Sequence, residues 1–340
     1  MVWFKFLLCI VIILFAGTKT TRYADIIAER TGLGRIWIGM LLLGTVTSMP
    51  ELITGVSSVT LVGESGIPDM GLGTLLGSCI FNLFILAILD VLYRRGPVLN
   101  QASTRQIASA GIGILLFAVA ALSISFGENL SELALGWVGA STIIILMLYL
   151  LGAWQIFRAE RNRHLPLVPT SPGQAEESPV VRGVWFKFVL GALAIIGAGV
   201  WLSFVGNEIA ETTHWDTSFV GSLFLAIGTS MPELVVAISA LRLGAIDLAV
   251  ADVLGANMLD VTYVFLLDLF YTKGPLLSSV SDVHIITAII AAVMSLLVIM
   301  GLRFRQKRKT FIVISWYGLL LIGLYIFGAY ALFTSGIALE

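Results

Sequence analysis

Thr47-Ser48-Met49-Pro50-Glu51-Leu52 recurs unchanged as Thr229-Ser230-Met231-Pro232-Glu233-Leu234, an offset of 182 residues. The same offset carries Val2-Trp3-Phe4-Lys5-Phe6 onto Val184-Trp185-Phe186-Lys187-Phe188. Farther on, Leu89-Asp90, Tyr93 and Gly96-Pro97 match Leu267-Asp268, Tyr271 and Gly274-Pro275 at an offset of 178. Three matches in one order and nearly one register mark an internal duplication. The change of register falls between the second and third helices of each half, where a loop can absorb it.

The solvent of this duplicated unit follows from composition. Of 340 residues, 58% are hydrophobic and only 12% charged, and the mean hydropathy is +0.98. A soluble domain carries about twice that share of charge, so the chain calls for a bilayer. A spanning helix needs about 20 mostly apolar residues. Ten stretches qualify approximately: 2–17, 36–61, 69–93, 106–126, 131–154, 184–205, 218–241, 246–271, 283–302 and 311–334. None alternates apolar and polar residues as barrel strands do. The expectation is an all-α polytopic membrane protein of ten transmembrane helices.

Lys and Arg concentrate in cytoplasmic loops. With the N-terminus outside, 18 of the 20 basic residues fall in inner loops, and only Lys5 and Lys273 do not. Both termini are therefore expected outside. Five helices per half make the second half enter from the opposite side, giving two inverted repeats. Residues 158–182, polar and carrying Pro166, Pro169, Pro172 and Pro179, read as a cytoplasmic linker between repeats 1–157 and 183–340. It is too short for a folded regulatory domain. Lys5 ahead of an apolar run resembles a signal peptide, but no A-x-A site follows and the repeat claims the segment as an uncleaved first helix. Cys9 and Cys79 form neither a disulfide framework nor a zinc site and read as buried hydrophobes.

Ionisable residues inside a span are costly and usually functional. Glu51 and Glu233 lie midway along the second and seventh helices. Gly44, Thr47, Ser48, Thr54, Gly55 and Ser58 line one small, polar face around Glu51; Ala226, Thr229, Ser230, Ala237 and Ala240 do so around Glu233. Pro50 and Pro232 lack the N–H that would bond Val46 and Gly228, so local unwinding should free carbonyls there. In lipid such groups persist only when satisfied, and a hard cation can do so. Calcium takes about 6–8 oxygens at roughly 2.3–2.6 Å, and two carboxylates neutralise one divalent ion. The third helix adds Thr74, Ser78 and Asn82 at i, i+4, i+8; the eighth adds Asp252, Ala256 and Asp260. A proline kink with small neighbours is by itself ordinary helix packing, and Thr54 and Ser58 read as packing residues. Asp90 and Asp268 read as structural or interfacial groups at helix ends near water. His164, His214 and His284 read as solvated. The two glutamates resist that bland reading because both are mid-span and duplicated in one context.

These residues resemble the sodium/calcium exchanger family. GTVTSMPEL (44–52) and AIGTSMPEL (226–234) look like its paired repeats, and GSCIFN (77–82) and GANMLD (255–260) resemble the helices that follow them. The resemblance implies that Glu51 and Glu233 are shared calcium and sodium ligands. It implies carbonyls from Thr47, Thr229, Gly44 and Ala226, hydroxyls from Ser48, Ser230 and Ser78, and a central site lined by Asn82 and Asp260. It implies alternating access by sliding of the first and sixth helices. Three departures stand out: Ala256 where the family has serine, Thr74 and Asp252 where it has asparagine, and Val46 for glycine. Asp252, a further candidate ligand, is expected to alter stoichiometry or introduce proton coupling.

The expected activity is exchange of sodium for calcium, with the same scaffold exchanging calcium or another cation for protons as the alternative. Its partners are calcium, sodium and the bilayer; no cofactor or nucleic acid is implied, and one chain is the expected working unit. A passive channel fits the inverted repeat poorly. An intramembrane protease lacks a catalytic signature here: there is no H-E-x-x-H and no histidine mid-span.

Overall fold

The computed structural model describes residues 1–31, 44–62, 66–127, 133–161, 179–306, 308–311 and 313–337. Among them the structure is helical, apart from one isolated bridge between Leu135 and Val138. The helices are α1 (Val2–Thr31), α2 (Gly44–Thr47), α3 (Met49–Thr60), α4 (Pro68–Leu92), α5 (Gln106–Ser125) and α6 (Ala140–Arg161) in the first half. In the second they are α7 (Pro179–Thr213), α8 (Thr217–Thr229), α9 (Met231–Arg242), α10 (Ile246–Phe270), α11 (Val283–Arg303) and α12 (Trp316–Ile337).

Eight of these are long and apolar enough to cross a membrane among the described residues, and a ninth span is α8 with α9, bent by 44°. The matching broken pair α2–α3 is described only from Gly44, because residues 36–43 of the expected second span lie outside the described residues. So does most of the 158–182 linker, with His164. The stretch expected as one helix over 131–154 begins instead at Ala140, after the Leu135–Val138 turn.

α4 and α10 pack side by side at the centre and are buried over most of their length. α1 and α7 pack together along the outside. Their outer faces expose Phe4, Val11, Phe15, Phe186, Leu190 and Leu193. An exposed apolar belt over a polar interior is what a bilayer solvent requires. Cys9 and Cys79 are buried, as expected.

The duplication is visible in the loops. Asp90 Oδ1 accepts from Val98 N at 2.9 Å, and Asp268 Oδ1 from Leu276 N at 2.7 Å, each eight residues on. Gly96 and Gly274 take φ of 140° and 141° within these loops, a value that favours glycine. Both aspartates are structural, as expected, but they are fully buried rather than near water. Asp90 also accepts from Ser315 N, Ser315 Oγ and Tyr317 Oη. Asp268 takes Gly139 N and Thr142 Oγ1. His284 likewise departs from its solvated reading: it is buried, with Nε2 3.2 Å from Asp69 Oδ1. His214, in the turn that follows α7, is exposed, as its solvated reading expects.

Candidate cation site

Both helix breaks have one local cause. Proline at the second position of α3 and of α9 has no N–H to continue the preceding helix. The chain turns instead at Ser48 (φ −85°, ψ 8°) and at Ser230 (φ −83°, ψ 12°), two nearly identical conformations 182 residues apart. Glu51 and Glu233 then fall in the first turns of α3 and α9, where the helix dipole favours a carboxylate.

The halves supply each other's partners. Ser230 Oγ donates to Glu51 Oε1 at 2.8 Å, and Ser48 Oγ donates to Glu233 Oε1 at 3.3 Å. Thr229 and Ser78 also face the Glu51 carboxylate, and their own hydroxyls are 3.4 Å apart. Asn82 Nδ2 donates to Asp260 Oδ2 at 3.4 Å, and Ser48 lies against Asp260 as well as Glu233. Glu51, Glu233, Asp260, Asn82, Ser48, Ser230, Ser78 and Thr229 are all fully buried.

The interlock extends outward. A Cβ on Gly17 of α1 would stand 2.9 Å from Pro232, and one on its repeat mate Gly199 of α7 would stand 3.0 Å from Ile53. The two outer helices therefore each lean on the opposite half's broken helix. Thr54 donates to Gly199 O and Ser58 to Thr54 O, so both are packing residues, as expected.

The chemistry left over is specific. Glu51 Oε2, Glu233 Oε2, Asp260 Oδ1 and Asn82 Oδ1 are buried without a hydrogen-bond partner. Among the described residues no lysine or arginine pairs with these carboxylates. A buried charge without a partner costs far more than a surface one, and a cation is the group these acceptors lack. Among the described residues no three His, Cys, Asp or Glu groups converge closely enough to hold a metal alone. A cation here must draw on the hydroxyl, amide and main-chain oxygens as well, which suits calcium's mixed oxygen shell.

Of the remaining expected ligands, Thr47 is buried beside Ser48, and Gly44 opens α2. The Ala226 carbonyl already accepts from Ser230 N and Thr229 Oγ1, at 3.0 and 3.3 Å. Asp252 is not joined to the cluster by a hydrogen bond; its Oδ2 is enclosed and unpartnered. Two residues escaped the sequence reading. Asn257 Nδ2 donates to Cys79 O at 3.1 Å, stitching α10 to α4, and Tyr263 brings a buried phenol within electrostatic reach of Asp260 and Glu51. The offset of 178 that pairs Asn82 with Asp260 also pairs Cys79 with Asn257, and could have flagged it.

Comparison with known proteins places the chain by family and fold. The family described as sodium/calcium exchanger protein matches residues 1–155 and 183–334. The inner membrane protein YrbG of Escherichia coli (strain K12) is 28% identical over 271 residues, covering 78% of each chain. The solved structure of native YfkE superimposes with a TM-score of 0.68 at 19% identity, covering 97% of this chain and 92% of that one. The sodium-calcium exchanger NCX_Mj, soaked with sodium and calcium, superimposes with a TM-score of 0.62 at 18% identity, covering 97% of both.

Proposed function

The chain belongs to the sodium/calcium exchanger family, and from that premise we propose that it is a secondary antiporter exchanging sodium for calcium by alternating access. It is an integral, multi-pass protein of the cell membrane with the fold of ion transporters. The observation that carries the reading is the pair of cross-linked carboxylates: Glu51 and Glu233 each take a serine from the other half, and each keeps one buried oxygen free. Glu51, Glu233, Ser48, Ser230, Ser78, Thr47, Thr229, Asn82 and Asp260 are proposed as the ion ligands, with main-chain oxygens at Gly44 and Ala226. The halves 1–157 and 183–340 are proposed as inverted five-helix repeats, ten spans in all, with both termini outside and the 158–182 linker cytoplasmic. One chain is the working unit, and calcium and sodium are cargo rather than resident cofactors.

The test is radiolabelled calcium uptake into proteoliposomes loaded with sodium, beside vesicles holding only a proton gradient. Uptake that requires internal sodium and is lost in Glu51→Gln supports the reading. Ala256, which has no hydroxyl where Ser78 stands in the first half, favours a second reading in which protons drive calcium. Uptake on the proton gradient alone would select it.

A further inference from the structure

Asp252 stands apart from the central cluster, and the α9–α10 hairpin says by how much. α9 ends at Arg242 and α10 starts at Ile246, joined by a tight turn through Gly244 (φ 76°), and the two helices pack together. At about 1.5 Å per residue, Asp252 stands about 9 Å above that turn, Glu233 about 13 Å and Asp260 about 21 Å. Glu233 therefore sits between the two aspartates, nearer to Asp252.

Ser48 takes Glu233 Oε1, and one oxygen of each carboxylate is left over. Asp252 Oδ2 and Glu233 Oε2 are both enclosed without a hydrogen bond, Glu233 is fully buried, and the charge of Asp252 acts on it. Asp252 as a residue is half-buried, with its Oδ2 enclosed. The first half has no equivalent. There Thr74 occupies the matching height beneath Glu51, fully buried, with its hydroxyl donated to Met70 O at 2.8 Å. At this height the cluster carries a carboxylate in the second half only.

We propose that Asp252 and Glu233 form a second cation site, displaced from the central cluster toward the Arg242–Ala245 turn, which calcium occupies as it passes between the centre and that face. Glu233 serves both sites and hands the ion over. This rests on the exchange reading, whose topology makes that face cytoplasmic. The paired carboxylates match the charge of one divalent ion, and losing one of them removes half of that match.

The experiment measures the calcium concentration for half-maximal exchange separately at the two faces, in proteoliposomes of defined orientation. Asp252→Asn and Asp252→Thr are expected to raise it about tenfold at the Arg242 face, as removing one charged ligand does, and to leave the other face unchanged. No shift at either face overturns the site; so does an equal shift at both, which would make Asp252 part of the centre. Calcium-dependent thermal stabilisation of the full chain in detergent gives a readout that needs no transport. A wild type that moves no calcium on any gradient sinks the exchange reading. A stabilisation midpoint unchanged by Asp252→Asn sinks the second site alone.

Discussion

Ser230 Oγ lies 2.8 Å from Glu51 Oε1, a hydrogen bond between residues 179 positions apart that joins the two halves at the proposed ion-binding carboxylate. Its mirror, Ser48 to Glu233, is longer at 3.3 Å. A hydrogen bond to a charged group contributes about 1.5–3 kcal/mol. Ser230→Ala is therefore expected to weaken apparent calcium affinity by about tenfold or more, and Ser48→Ala by less. Concentration dependence of calcium uptake checks the order; a larger effect at Ser48 would contradict it.

Replacing either glutamate by glutamine keeps the shape of the side chain and removes the charge. Glu51→Gln and Glu233→Gln should each abolish exchange while thermal melting in cation-free buffer holds or rises, because a buried charge without a partner disappears. A variant that melts far lower would mean that the carboxylate serves the fold.

Gly77 tests how closely α4 approaches α8. An added Cβ would run into the Ser222 carbonyl oxygen, where backbone must move. Gly77→Ala should cost about 1–3 kcal/mol and lower the melting temperature. Gly113→Ala, whose Cβ meets only Phe117 at 3.9 Å, is the control and should be neutral or slightly stabilising.

Asp90 collects four hydrogen bonds from the Val98 loop and from the start of α12. Asp90→Ala leaves those donors buried and unpaired, at roughly 1–3 kcal/mol for each one orphaned. Poor yield of monodisperse protein is expected, with Asp90→Asn milder. In whatever folds, the calcium dependence of exchange should be that of wild type, since Asp90 touches no proposed ligand.

The Lys5–Glu208 ion pair, 2.6 Å long between α1 and α7, invites a larger role than it can hold. Its side chains are 37% and 40% exposed, and exposed pairs contribute about 0–1 kcal/mol. Lys5→Ala should shift the melting temperature by no more than a few degrees. A collapse of the fold would show that the pair is screened by more than its exposure suggests.

The paired glutamates, the serines beside them and the breaks at Ser48 and Ser230 were legible because the duplication writes each twice and proline acts on its own helix. What stayed hidden depends on distant partners. Asp90 is buried by Ser315 and Tyr317, and His284 is tied to Asp69, in each case more than 200 residues away. No local pattern records such a pairing. The π-helical turn Val220–Leu225 within α8 was equally invisible. It lies where Gly73, Gly77 and Gly221 bring α4 and α8 into backbone contact, so it answers to packing rather than to residue preference. Asn257 went unnoticed because its partner is a main-chain carbonyl, that of Cys79.

Because each half lends its serine to the other half's glutamate, neither half owns a complete binding centre. A cation bound as proposed would be a rivet as well as a cargo: it would bond only to the assembled pair, so its binding free energy would add to the cohesion between halves. At about 100 times its dissociation constant a ligand of this kind adds about 2.7 kcal/mol. Stripped of ions, the protein should lose part of the grip between its halves at the level where the outer helices cross them. On this reading the moment after release would be the moment when Gly17 and Gly199 slide most freely over Pro232 and Ile53, and the transport cycle would draw its mobility from the departure of what it carries.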